Sequence, residues 1–217
     1  MLHGMNTKGG GENGERPDMQ QQSQSSHGVQ VLIILLSVFF IGMVEGTQGV
    51  LLPLVAQEYN ASYSMLGTVT GVHSMLFFLA LFLGGRLFAL IGAKPFLLVA
   101  SVDFAASALI EWLMPSFRIW EISRMMQGVA AGCLLSFALT FLGLSTERVR
   151  RGDLLGIMLG LFFFGSALGS FVGSFLSNGF GLSSISLIVT IGAFILLVVQ
   201  ALCITSPERS GMSAIFD

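Results

Sequence analysis

The stretch SRMMQGVAAGCLLSFALTFLGL, residues 123–144, decides how this chain is read. It is long enough to cross a bilayer and almost wholly apolar, yet it carries an arginine at its second position. A guanidinium in hydrocarbon costs roughly 3 kcal/mol on insertion scales, so Arg124 needs a partner or a polar cavity. Arg124, Gln127, Gly128 and Ala131 fall at i, i+3, i+4 and i+7, which puts charge, amide and close-contact surface on one helix face. Such a face looks into a bundle interior rather than into lipid.

The rest of the chain agrees with a membrane reading. Of 217 residues, 53% are hydrophobic and only 10% charged, with a mean hydropathy of +0.83. A soluble domain carries about a quarter charged residues. The net charge is −2 and the ten basic residues are dispersed, so no electrostatic footprint for nucleic acid exists. Cys133 and Cys203 lie in apolar runs, without a CxxC or a nearby ligand set, and read as packing residues.

Counting spans of about 20 apolar residues gives six segments, near 30–55, 63–85, 95–115, 119–144, 153–177 and 182–205. Residues 1–28 are rich in Gly, Gln and Ser and are expected to be a disordered cytoplasmic tail. Residues 29–206 form the transmembrane domain and 207–217 a short cytoplasmic tail. Basic residues stay on the cytoplasmic side. With the amino terminus inside, Lys8, Arg16, Arg86, Lys94, Arg148, Arg150, Arg151 and Arg209 are inside and only Arg118 is outside. Both termini are then cytoplasmic, and Trp112 and Trp120 fall at the outer interface.

Helix 1 supplies a second buried charge, in GMVEGTQGVLLP. Gly42, Glu45, Gly46 and Gly49 share a face, so Glu45 projects toward neighbouring helices about two turns inward of Pro53, near the bilayer midplane. A carboxyl group there is costly to ionise unless a cation such as Arg124 offsets the desolvation. Proton carriage follows as the functional reading, and a structural bond to Gln48 or Thr47 as the alternative. Asp103 on helix 3 is also intramembrane, either a coupling residue or a local partner of Ser101 or Ser107. Glu121 stands three residues before Arg124 and is a candidate partner. His73 on helix 2 is a lone imidazole on an apolar face, read first as packing and second as a proton relay.

RMMQGVAAG resembles the helix-4 motif of the major facilitator superfamily, an Arg followed at three and four residues by Gln-Gly and then small residues. Arg124, Gln127, Gly128, Ala131 and Gly132 match it. The resemblance implies an all-α integral membrane fold: six transmembrane helices as two inverted three-helix repeats, one half of a major facilitator fold. It also implies a role for Arg124 in proton coupling or an interior charge network, with Gln48, Gln127 and Gly128 lining a cavity. The family's gating loop between helices 2 and 3 is matched by GRLFALIGAK at Gly85, Gly92 and Lys94, with Arg86 beside them. Ala89 stands in place of the family's Asp, and Ala93 in place of the first basic residue. The family's helix-5 antiporter motif is matched by GSALGSFVGSFL at Gly165, Gly169 and Gly173, with Ser170 in place of Pro and Ser174 in place of Gly.

These residues lead to a secondary, proton-coupled exporter of small organic molecules in a plasma membrane. The chain ends about a dozen residues after helix 6, so a homodimer or a second six-helix half is expected to complete the cavity, with the glycine-lined helices 2 and 5 as the docking faces. The alternatives are a sugar or metabolite uptake porter and a non-transporting half that modulates a full-length partner. No enzymatic constellation, cofactor loop or metal cluster competes with them.

Overall fold

The computed structural model describes residues 17–113, 116–145, 151–177, 179 and 181–204. Six helices follow in order: α1 (Pro17–Tyr59), α2 (Tyr63–Ile91), α3 (Ala93–Leu113), α4 (Phe117–Ser145), α5 (Arg151–Ser177) and α6 (Leu182–Cys203). Each is long and apolar enough to cross a membrane, and together they form one six-helix half of the expected fold. α1 begins at Pro17, within the stretch expected as tail. Proline suits a first helical turn, and the apolar span itself starts at Gly28. Residues 1–16, 146–150 and 205–217, with Lys8, Arg16, Arg148, Arg150 and Arg209, lie outside the described residues.

Packing pairs the helices across the two repeats. α1 packs chiefly on α5, and α2 chiefly on α4. These two pairings exchange under a swap of helices 1–3 with helices 4–6, as a two-repeat architecture requires. α3 leans on α4 and α6.

Glycine explains the two close pairings. A Cβ on Gly42 or Gly46 would collide with the backbone of Phe162 or Ser166 on α5. In return, one on Gly165 or Gly169 would collide with the Phe39 or Met43 carbonyl on α1, and one on Gly173 would crowd Thr47. The approach is close enough for Thr47 to donate to the Gly169 carbonyl at 3.1 Å and for Ser170 to donate to the Gly46 carbonyl at 3.1 Å. Gly165, Gly169 and Gly173 therefore serve packing inside this half, not the second-half surface expected of them. Gly67 and Gly71 on α2 and Gly156 and Gly160 on α5 have nothing within 4 Å of a built Cβ.

The α2–α3 connection is the single residue Gly92, at φ +95°, a backbone conformation that L side chains rarely adopt. Its N–H caps α2 on the Phe88 carbonyl at 2.9 Å. Of the expected gating residues, Arg86 is exposed and Lys94 partly buried, and neither makes an ion pair among the described residues. Gly85 faces Thr140 of α4.

The interior has two apolar layers. The larger holds Val38, Val44, Phe88, Phe104, Phe137 and their neighbours. The smaller, toward the other end, holds Leu51, Val55, Leu66, Val69, Trp120 and Ile185. Trp120 was expected at the interface but is only 1% exposed, because α4 carries it into this second layer. Along α1, α2 and α4, a short polar interval separates one layer from the other.

A buried polar layer between the helices

That interval contains Glu45 and Gln48 from α1, His73 from α2, and Arg124 and Gln127 from α4; Glu111 joins from the end of α3. All but Glu45 are buried, and the Glu45 side chain is 19% exposed. Local spacing sets each direction. Glu45 and Gln48 are three residues apart on α1, as are Arg124 and Gln127 on α4, so each helix presents a pair on one face.

The bonding is specific. Arg124 donates through Nη1 to Gln127 Oε1, and its Nη2 lies 3.9 Å from Glu45 Oε2. His73 Nε2 lies 3.0 Å from the same Glu45 oxygen. His73 Nδ1 donates to the backbone carbonyl of Arg124 at 2.7 Å. Gln48 donates through Nε2 to Glu111 Oε1 at 2.7 Å. Gly128 makes the α2 contact possible, because any side chain there would run into the backbone and ring of His73.

Three buried polar atoms in the layer have no hydrogen-bond partner among the described residues: Glu45 Oε1, Gln48 Oε1 and Gln127 Nε2. An unpaired buried polar atom costs about 1–3 kcal/mol. Together they offer two acceptors and one donor to a polar group entering the layer.

The structure thus brings Arg124, Glu45, Gln48, Gln127 and Gly128 together. Two expected members of the charge network stand apart. Glu121 pairs with the exposed Arg118 at 3.2 Å, because one turn of α4 carries it outward of Arg124. Asp103 is partly buried in a 630 Å³ groove between α3 and α4, with Val99, Val102, Val129 and Cys133. It bonds neither serine considered for it: Ser107 donates to the Phe104 carbonyl, and Ser101 joins Gln200.

Two members were missed or undervalued. Glu111 sits at the end of a span beside Trp112, where an acid reads as interfacial, and the packing of α3 on its neighbours leaves it buried. His73 was read as packing; its position four residues from Val69 and from Phe77 on an otherwise apolar face was the available signal.

The chain belongs to the Major Facilitator Superfamily, whose family model matches residues 34–214. It is similar to the methylenomycin A resistance protein of Bacillus subtilis, 28% identical over 88% of this chain and 41% of that protein. It is also similar to a multidrug efflux pump of Mycolicibacterium smegmatis, 25% identical over 74% of this chain and 32% of the pump. Quinidine resistance protein 1 of Saccharomyces cerevisiae is 22% identical over 89% of this chain and 35% of that protein. The chain thus spans about a third to two fifths of the length of these relatives.

Proposed function

We propose that this chain forms one half of a secondary transporter that exports small organic molecules in exchange for protons. The observation that carries this reading is Glu45, a carboxyl group among transmembrane helices, bonded to His73 and facing Arg124. An acid so placed can neutralise by taking up a proton, and a nearby guanidinium can take over its charge when the proton leaves. The unpartnered atoms of Gln48 and Gln127 would receive polar groups of the substrate. The substrate class rests on relatives named for drug efflux and for resistance to methylenomycin A and quinidine.

A second six-helix unit is seated on α2 and α5. Open glycines and large exposed side chains such as Phe78, Phe82, Phe171 and Phe175 on these helices support that placement. Both termini face the cytoplasm, and the membrane is the plasma membrane.

The test is reconstitution of the full chain in liposomes loaded with a pH-sensitive dye. With an acidic lumen, addition of an exported compound to the outside should drive its uptake together with lumenal alkalinisation. Acidification with uptake would mean symport and would favour an uptake porter instead. Flux indifferent to the gradient would remove proton coupling. Native mass spectrometry of the same sample should show a dimer or a defined heteromer, and a monomer that moves nothing would leave only a modulating role.

A further inference from the structure

His73 is bonded at both ring nitrogens, and the two partners impose different requirements. A backbone carbonyl can only accept, so the 2.7 Å contact with the Arg124 oxygen fixes a hydrogen on Nδ1. A neutral imidazole has one N–H, and Nδ1 holds it, which leaves Nε2 as a lone pair. An ionised carboxylate is likewise an acceptor only. The 3.0 Å contact between Nε2 and Glu45 Oε2 therefore needs one further proton between them. That proton sits on nitrogen, giving imidazolium and carboxylate, or on oxygen, giving imidazole and carboxylic acid. Either way the pair holds one titrating proton and has no net charge.

The helices that carry the two residues make this bond consequential. α1 packs chiefly on α5 and α2 chiefly on α4, while α1 and α2 scarcely touch each other. The His73–Glu45 bond crosses the seam between those two pairs at the polar layer. We propose that His73 and Glu45 together bind a single proton, and that this proton closes the seam between α1 and α2. On release the proton passes to water, and the Nε2 lone pair is left against a carboxylate lone pair. That arrangement repels. Arg124 Nη2, 3.9 Å from Oε2, is then the cation toward which the carboxylate turns, and the link to α2 is lost while the Nδ1–H bond to α4 remains.

The ionisable groups facing the pair are few. Arg124 stands beside it on α4, and Glu111 on α3 acts from a distance while accepting from Gln48. α5 carries Arg151 and Asp153 at its far end; Arg151 is fifteen residues before Ser166, the residue against Gly46, or about 22 Å of helix. Cys203, at the end of α6, is its single ionisable side chain.

The proton's role in transport rests on the proposed coupling, but the proton count does not. The experiment is 15N NMR of the full chain in nanodiscs with labelled histidine. The three resonance sets belong to His3, His27 and His73, and a His73→Gln spectrum identifies the last. Nδ1 of His73 should be protonated throughout, with Nε2 moving in one pH step accompanied by loss of one proton. In Glu45→Gln the amide N–H donates to Nε2, so that step should disappear or move by at least one pH unit. An unprotonated Nδ1 in the unsubstituted chain overturns the proposal without any variant, and so does an unchanged step in Glu45→Gln. Spin labels at Gly49→Cys and Met75→Cys, with Cys133 and Cys203 replaced, should move apart across the step; a constant distance overturns seam closure. Gradient-independent flux with the step intact would fail the exporter reading and leave this one standing.

Discussion

Gly128 lies directly beneath His73: a Cβ added to Gly128 would stand 2.7 Å from the His73 carbonyl oxygen and 3.0 Å from its Nδ1. The first of these is helix backbone, which cannot swing aside, so α2 and α4 would have to separate. Overpacking of this kind costs about 1–3 kcal/mol. Gly128→Ala should lower the thermal midpoint in detergent by roughly 2–4 °C for each kcal/mol and weaken the His73–Arg124 bond. Gly71→Ala on the open face of α2 is the control and should not move the midpoint. Equal midpoints for Gly128→Ala and the unsubstituted chain would mean that the close approach is not needed.

The same reasoning separates glycines that look alike in sequence. Gly169 meets the Met43 carbonyl, whereas Gly160 meets nothing. Gly169→Ala should destabilise the single six-helix unit by about 1–3 kcal/mol and leave its oligomeric state as it was. Gly160→Leu should leave the unit's stability within about 0.5 kcal/mol and reduce association with a second unit. Native mass spectrometry beside thermal denaturation reads both, and the reverse pattern would exchange the two roles.

Those two glycines show how far the sequence could be read. Span length alone located all six helices, and the three- and four-residue spacing correctly put Arg124, Gln127 and Gly128 on one interior face. A four-residue glycine repeat says that a backbone approaches, but not which one. Gly165, Gly169 and Gly173 turned to α1, while Gly156 and Gly160 on the same helix stayed open. Glu111 and Trp120 were illegible for a related reason. Both stand near span ends, where polar and amphipathic side chains are ordinary, and it is the lean of α3 and α6 on their neighbours that buries them. The His73–Glu45 contact joins residues 28 apart on different helices, so no local pattern encodes it.

Gln48 and Glu111 offer a direct energetic test of the layer. Gln48 donates to a fully buried carboxyl group at 2.7 Å, and leaving a buried donor without its partner costs about 1–3 kcal/mol. Glu111→Gln keeps an acceptor for Gln48 and should be tolerated. Glu111→Leu strands the Gln48 amide and should be clearly destabilising, and adding Gln48→Leu should recover much of the loss. A double-mutant cycle on thermal or denaturant unfolding measures the coupling; a value near zero would mean that the pair is only adjacent.

Arg124 binds Gln127 with one nitrogen and faces Glu45 with another, so its fork geometry serves two partners at once. Lysine offers a single point charge and cannot span both. Arg124→Ala should insert normally, because Glu45 can remain neutral by keeping its proton and its bond to His73. On the proposed exchange mechanism, the same retention should abolish gradient-driven flux, because with no guanidinium to receive the carboxylate, proton release becomes unfavourable. Arg124→Lys should restore part of the flux, at roughly a tenth of the original rate if about 1.4 kcal/mol of carboxylate stabilisation is lost. Dye-loaded liposomes measure both variants. Full gradient-driven flux in Arg124→Ala would show that Glu45 gives up its proton without help, and would remove Arg124 from the coupling step.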